Sequence, residues 1–214
     1  MAFTSFTCVD DVVKKYKLTY VQGPLLPPDV TAPPFGDYFR EELAFNLRML
    51  PIGRSEIGAG EVLLFPILRE IWKPYSKDLA LFTHEGLTFD DDLTGIPDYF
   101  VCKVSEYGQT IPDVPDLLVA EAKLDDFERA WGQCSAAMLA AQRLNQTPEV
   151  PVYGIATNGS EWQFGVLLGR ELTVDPLATA LSNLDTLSHR MHATFRAVQA
   201  QAIAHKTREL SDNY

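Results

Sequence analysis

The chain has 214 residues, 46% of them hydrophobic, which suffices for one domain with a substantial core and gives no reason to expect two. Eighteen lysines and arginines stand against 29 aspartates and glutamates, a formal net charge of −11. Most of the surface therefore has the wrong sign for neutralising phosphates, which argues against a simple DNA coat. It leaves room for an enzyme that gathers a few cations at one cleft, bridges to phosphate through a metal ion, or borrows a basic partner protein.

The opening segment mixes Asp10, Asp11, Lys14, Lys15 and Lys17 with apolar residues, unlike a signal peptide, and no run of eighteen apolar residues occurs. A soluble, cytoplasmic protein is expected. Residues 1–37 end in a proline-rich stretch, Pro24, Pro27, Pro28, Pro33 and Pro34. Proline cannot donate ladder hydrogen bonds, so residues 1–37 are read as an irregular arm preceding one domain over 38–214. Phe39, Leu43, Leu47 and Leu50 predict a helix over 37–50, ended by Pro51 and Gly53. A second helix is expected from a Ser55 cap, with the stripe Ile57, Glu61, Leu64, Leu68, Ile71 and Trp72 and a kink at Pro66.

After Tyr75 the pattern changes to short runs that predict strands over 79–82, 87–89, 99–104 and 117–122. The last two are apolar on both alternating faces, as central strands covered on each side are. A helix is predicted over 126–144, with Ala130, Cys134, Ala137, Met138 and Ala141 on one side. Residues 152–157 and 162–168 should form a hairpin about Asn158 and Gly159. The tail over 176–205 reads as one long helical stretch, packed over the sheet or used for dimerisation. Cys8, Cys102 and Cys134 are odd in number and suggest no disulfide framework. The expected class is α/β, a central mixed sheet flanked by helices with a long C-terminal helix.

The chemistry is concentrated in Gly95-Ile96-Pro97-Asp98-Tyr99 and, 23 positions after Asp98, Glu121-Ala122-Lys123. Residues two apart on a strand share a face, so Glu121 and Lys123 project together from an otherwise apolar strand. Burying a carboxylate and an ammonium is costly unless they are paired or coordinate a metal. If the strand beginning near Asp98 neighbours the one ending at Lys123, Asp98 and Glu121 come within reach of one divalent ion. Such a cluster suits Mg²⁺, or Mn²⁺, held by one or two carboxylates plus substrate phosphate. Phosphodiester hydrolysis follows naturally, with Lys123 orienting the attacking water or stabilising charge in the transition state. Asp113 and Asp116 are rival acids, but five residues of extended chain would hold Asp116 about 16 Å from Glu121.

These motifs resemble the PD-(D/E)XK nuclease superfamily, in particular the N-terminal nuclease domain of type I restriction enzyme motor subunits. The resemblance covers roughly 55–168, in the family's order. Ser55-Glu56 leads to Pro66-Ile67-Leu68; then come the Asp98 and Glu121-Ala122-Lys123 motifs, a helix bearing Gln133, and Tyr153 to Gly159 with Trp162 and Phe164. It implies a restriction endonuclease-like fold and a metal-dependent nuclease acting on DNA. Asp98 and Glu121 would hold the metal, Lys123 would assist the water, and Gln133 would be an accessory residue. For the acid on the first helix, the family's spacing favours Glu56 and the helical stripe favours Glu61; both are carried as candidates.

Each motif has a plainer reading. Most Glu-x-Lys triplets are solvated ion pairs, Gln133 could serve only nearby backbone, and Glu56 or Glu61 could be ordinary helix acids. Asp90-Asp91-Asp92 reads as a solvated loop, Trp131, Trp162 and Phe164 as core, and the four histidines as surface or packing residues. The superfamily also includes members without cleavage. The alternative function is therefore a catalytically inactive nuclease-fold module used for binding or assembly.

Overall fold

The computed structural model describes residues 2–25, 33–124 and 126–212; Pro27 and Pro28 of the proline-rich stretch lie outside them. The chain order is α1 (Val9–Tyr16), β1 (Thr19–Gln22), α2 (Asp37–Met49), α3 (Glu56–Ala59), α4 (Phe65–Trp72), β2 (Leu79–Thr83), β3 (Leu87–Thr88), β4 (Thr94–Gly95), β5 (Tyr99–Lys103) and β6 (Asp116–Ala122). There follow α5 (Phe127–Asn145), β7 (Val152–Thr157), β8 (Glu161–Leu168), β9 (Glu171–Val174), β10 (Thr179–Ala180) and α6 (Leu184–Asp212). The main sheet is mixed, in the order β1-β9-β8-β7-β6-β5-β2, with β10 pairing β8. β6 lies parallel to β7 and antiparallel to β5, and β1 lies parallel to β9.

Side chains alternate across the sheet into two cores. On one face, Tyr99, Val101, Leu118, Ala120 and Ile155 meet Leu43, Leu64, Leu68 and the α6 residues Leu187, Met191 and Phe195. On the other, Phe100, Val119, Val152 and Ala156 meet Phe3, Phe6, Val12 and the small residues of α5. A bulge opposite Val101 and Cys102 admits Leu117 as an extra residue and sets which residues of β6 face α5.

Within the expected irregular arm, residues 2–25 instead carry α1 and β1. Asp11 closes a capping box at the start of α1, with Oδ2 accepting from the N–H of the Cys8 cap at 3.4 Å and from the Thr7 N–H at 2.9 Å, and β1 joins the sheet edge. Phe3, Phe6 and Val12 are buried, so the segment belongs to the same core as the rest of the chain. Its pairing partner, β9, lies some 150 residues away in sequence.

The second helix is interrupted rather than simply kinked. Ser55 Oγ accepts from the Gly58 N–H at 3.0 Å, capping α3, and residues 60–64 form a π turn before α4. Pro66 has no N–H for the Val62 carbonyl four residues back, and Asn46 Nδ2 of α2 donates to that carbonyl instead, at 3.1 Å. Leu64, Leu68 and Ile71 of the expected stripe are buried, whereas Ile57 is exposed, as are Leu47 and Leu50 at the end of α2.

Helix α5 is the buried spine of the other layer. Asp126 Oδ1 accepts from the Arg129 N–H at 2.9 Å at its start. Its small residues, with Gly154 opposite, let it lie close to β6 and β7; a Cβ on Gly154 would stand 2.4 Å from Met138 Sδ. The tail is shorter in helix at its start than expected: residues 176–183 supply β10 and a turn, and α6 begins at Leu184. Arg190 fixes α6 to the sheet by an ion pair with Asp175 at 2.6 Å, over the ring of Phe164. Among the described residues no helix is long and apolar enough to cross a membrane.

Candidate active site

The site lies at the end of β5 and β6 where α5 begins. Because Tyr99 pairs with Ala120, Asp98 stands beside Glu121 at the end of the ladder. Asp98 has the parity of Phe100, and Glu121 that of Val119, so both turn to the α5 face. The Ala122 N–H donates to Asp98 Oδ2 at 2.8 Å, and the Lys123 N–H donates to the Thr157 carbonyl, holding the end of β6 against β7.

Lys123 Nζ is the centre of the arrangement. It lies 3.6 Å from Glu56 Oε2, 3.7 Å from Asp98 Oδ2 and 3.8 Å from Glu121 Oε2, and it donates to the Ala122 carbonyl at 2.8 Å. The carboxylates come from three places: the first turn of α3, the lead-in to β5 and the end of β6. Exposure grades across them, the Glu121 side chain at 3%, Asp98 at 25% and Glu56 at 53%, so the cluster opens from the sheet outward. Burial pushes the Glu121 carboxyl well above its ordinary range; the charge of Asp98 and a hydrogen bond with it add to the effect, and Lys123 opposes it.

Between the two helix acids, the structure brings Glu56 to the cluster. Glu61 lies one turn further on, beside Tyr99, whose phenol is raised first by burial and then by the charges of Asp98 and Glu61. The Tyr99 hydroxyl donates to the Gly60 carbonyl at 3.2 Å, which ties the π turn to the start of β5. Gln133 is 3% exposed on α5, and its Nε2 has no hydrogen-bond partner among the described residues. Leaving such a donor unsatisfied costs about 1–3 kcal/mol, and orphaned buried donors invite a functional explanation.

Two contributors were not legible as site parts. The peptide groups of Ala122 hold both Asp98 and Lys123, and backbone roles leave no mark in side-chain identity. Cys134, read only as a member of the helix stripe, lies behind Glu121, whose charge adds to the burial that raises its thiol. The plainer readings also find their places. Asp90 Oδ1 accepts from the N–H groups of Asp92 and Leu93 in a loop, and Lys15 pairs with Asp92 at 2.9 Å. Trp131, Trp162 and Phe164 are buried, and His192 is buried against Tyr75. All three cysteines are free thiols.

Among the described residues, no three of histidine, cysteine, aspartate and glutamate form a ready-made metal cage. The donor set suits a hard cation that needs one or two carboxylates and completes its shell with water and phosphate, as Mg²⁺ does, better than one that needs a full protein cage. No protein-family model matches the chain, and no curated protein matches it either.

Proposed function

We propose that the protein is a metal-dependent nuclease of the PD-(D/E)XK type, with a restriction endonuclease-like fold, hydrolysing phosphodiester bonds in DNA. The observation that carries this reading is the meeting of Asp98, Glu121 and Lys123 at one strand end, with Nζ within 3.8 Å of both carboxylates. Asp98 and Glu121 would hold Mg²⁺ or Mn²⁺. Bound there, the metal polarises a phosphoryl oxygen and lowers the pKa of a water. Lys123 supplies a positive charge aimed at the phosphate and the attacking water, where negative charge builds in the transition state. The backbone N–H of Ala122 fixes Asp98, and Gln133 of α5 would be an accessory residue, its buried amide nitrogen having no hydrogen-bond partner among the described residues. The net charge of −11 makes a basic partner protein or a local metal-phosphate bridge part of the same reading. A cytoplasmic location is proposed with it.

The test is incubation of the purified protein with linear, supercoiled and single-stranded DNA, in Mg²⁺, Mn²⁺ or EDTA. Cutting that requires metal and disappears in both Asp98→Ala and Lys123→Ala supports the nuclease. Absence of cutting on every substrate would favour a catalytically inactive nuclease-fold module for binding or assembly, a reading that the acidic surface also suits.

A further inference from the structure

This inference rests on the metal-site reading above and concerns what Lys123 does to that site. Its ammonium is hydrogen-bonded to the Ala122 carbonyl at 2.8 Å but lies 3.6 to 3.8 Å from all three carboxylates. It is therefore suspended among them by its neighbouring peptide, with the side chain only 11% exposed. A divalent ion held by Asp98 and Glu121 would use the same carboxylate oxygens that the ammonium faces. In a poorly solvated pocket, a dication and an ammonium repel strongly at such separations.

We propose that Lys123 is a built-in competitor for the cation: its ammonium occupies the space among Asp98, Glu121 and Glu56 in the metal-free protein and must leave it before a divalent ion binds. Glu56 gives the displaced ammonium somewhere to turn, because it comes from α3 rather than from the sheet and is the most exposed of the three acids. A substrate phosphate offers a second destination. Metal and substrate then bind cooperatively, since the phosphate takes up the positive charge that the metal expels. The consequence is weak metal binding by the protein alone and firm binding only with a phosphodiester in place.

Calorimetric titration with Mn²⁺ compares the wild type with Lys123→Met, which keeps the unbranched apolar stem and removes the ammonium, and with Lys123→Arg, which keeps the charge. The neutral variant should bind Mn²⁺ about tenfold or more tightly than the wild type, within the usual range for coupled sites, and the arginine variant should not. Adding Asp98→Asn to the neutral variant should abolish the gain. Equal or weaker Mn²⁺ binding by folded Lys123→Met would overturn the competitor role while leaving the metal site intact. No Mn²⁺ binding by the wild type or any variant would overturn the metal-site reading and this inference with it. If Lys123→Met fails to fold, the wild type decides: modification of Lys123 by an amine-reactive ester, followed by mass spectrometry, should increase when Mg²⁺ is added. Labelling that stays constant or falls, in protein that calorimetry shows to bind the metal, refutes displacement.

Discussion

Asp116→Asn separates the site from its closest sequence rival. Asp116 opens β6 and is 5% exposed. Its backbone is clamped by Asn145, which accepts from the Asp116 N–H at 2.7 Å and donates to its carbonyl at 2.8 Å. The carboxyl itself is raised from 3.8 to about 7, first by burial and then by the charge of Asp113. In free energy that difference is worth about 4 kcal/mol. The folded protein keeps this proton to higher pH than the unfolded chain does. The contribution of Asp116 to stability is thus full below the unfolded value near 3.8 and is lost as pH rises through about 7. Asparagine cannot ionise and removes the loss. Urea unfolding of the two proteins across this range should give equal stabilities at the acid end and an advantage for the variant of up to about 4 kcal/mol above pH 7. The difference between the two curves isolates Asp116 from every other titrating group. A difference that does not change with pH, or a variant less stable at pH 8, would refute the reasoning. DNA cleavage should be retained, because Asp116 is five residues along the strand from Glu121; its loss would move the acidic role to Pro115-Asp116.

Two further substitutions probe the fold and the helix acid. In Gly132→Ala the new Cβ would stand 2.7 Å from both the Cys8 nitrogen and the Phe6 carbonyl oxygen. The variant should lose about 1–3 kcal/mol in urea unfolding, and amide exchange should quicken in α1; unchanged stability would mean that the N-terminal segment is not docked on α5. Glu56→Gln should lower cleavage about tenfold while Glu61→Gln changes it little, each read as kcat/KM on the best DNA substrate. The reverse order would assign the helix acid to Glu61.

The central elements were legible because their signals are local. The apolar runs of β5 and β6, the alternation through β7 and β8, and the stripe of α5 each reflect a period that a covered strand or a packed helix imposes. Over residues 9–22 the signal is short: Val9, Val12, Val13 and Tyr16 stand at helical spacing, but β1 after them has no apolar alternation. The eight residues of α1 form little more than two turns, and β1 is mostly exposed, so both depend on surfaces supplied by distant parts of the chain. The start of α6 was placed too early because Thr179 and Ala180 pair with β8, a contact that local periodicity does not encode. At the site, the parity of Glu121 and Lys123 followed from spacing alone, whereas the choice between Glu56 and Glu61 did not. An insertion of one π turn changes which side of the helix each acid faces.

By itself the sequence determined an α/β chain with two covered central strands, and it determined that an acid and a lysine leave one of them on the same side. Those are consequences of side-chain period and of the cost of burying charge. Only the tertiary structure decided that Asp98 and Glu56 arrive at that same point, and that one ammonium stands among three carboxylates. Their meeting depends on the register between β5 and β6, on the bulge at Leu117 and on how α3 crosses the strand end. Each of these is a packing relation between segments far apart in the chain.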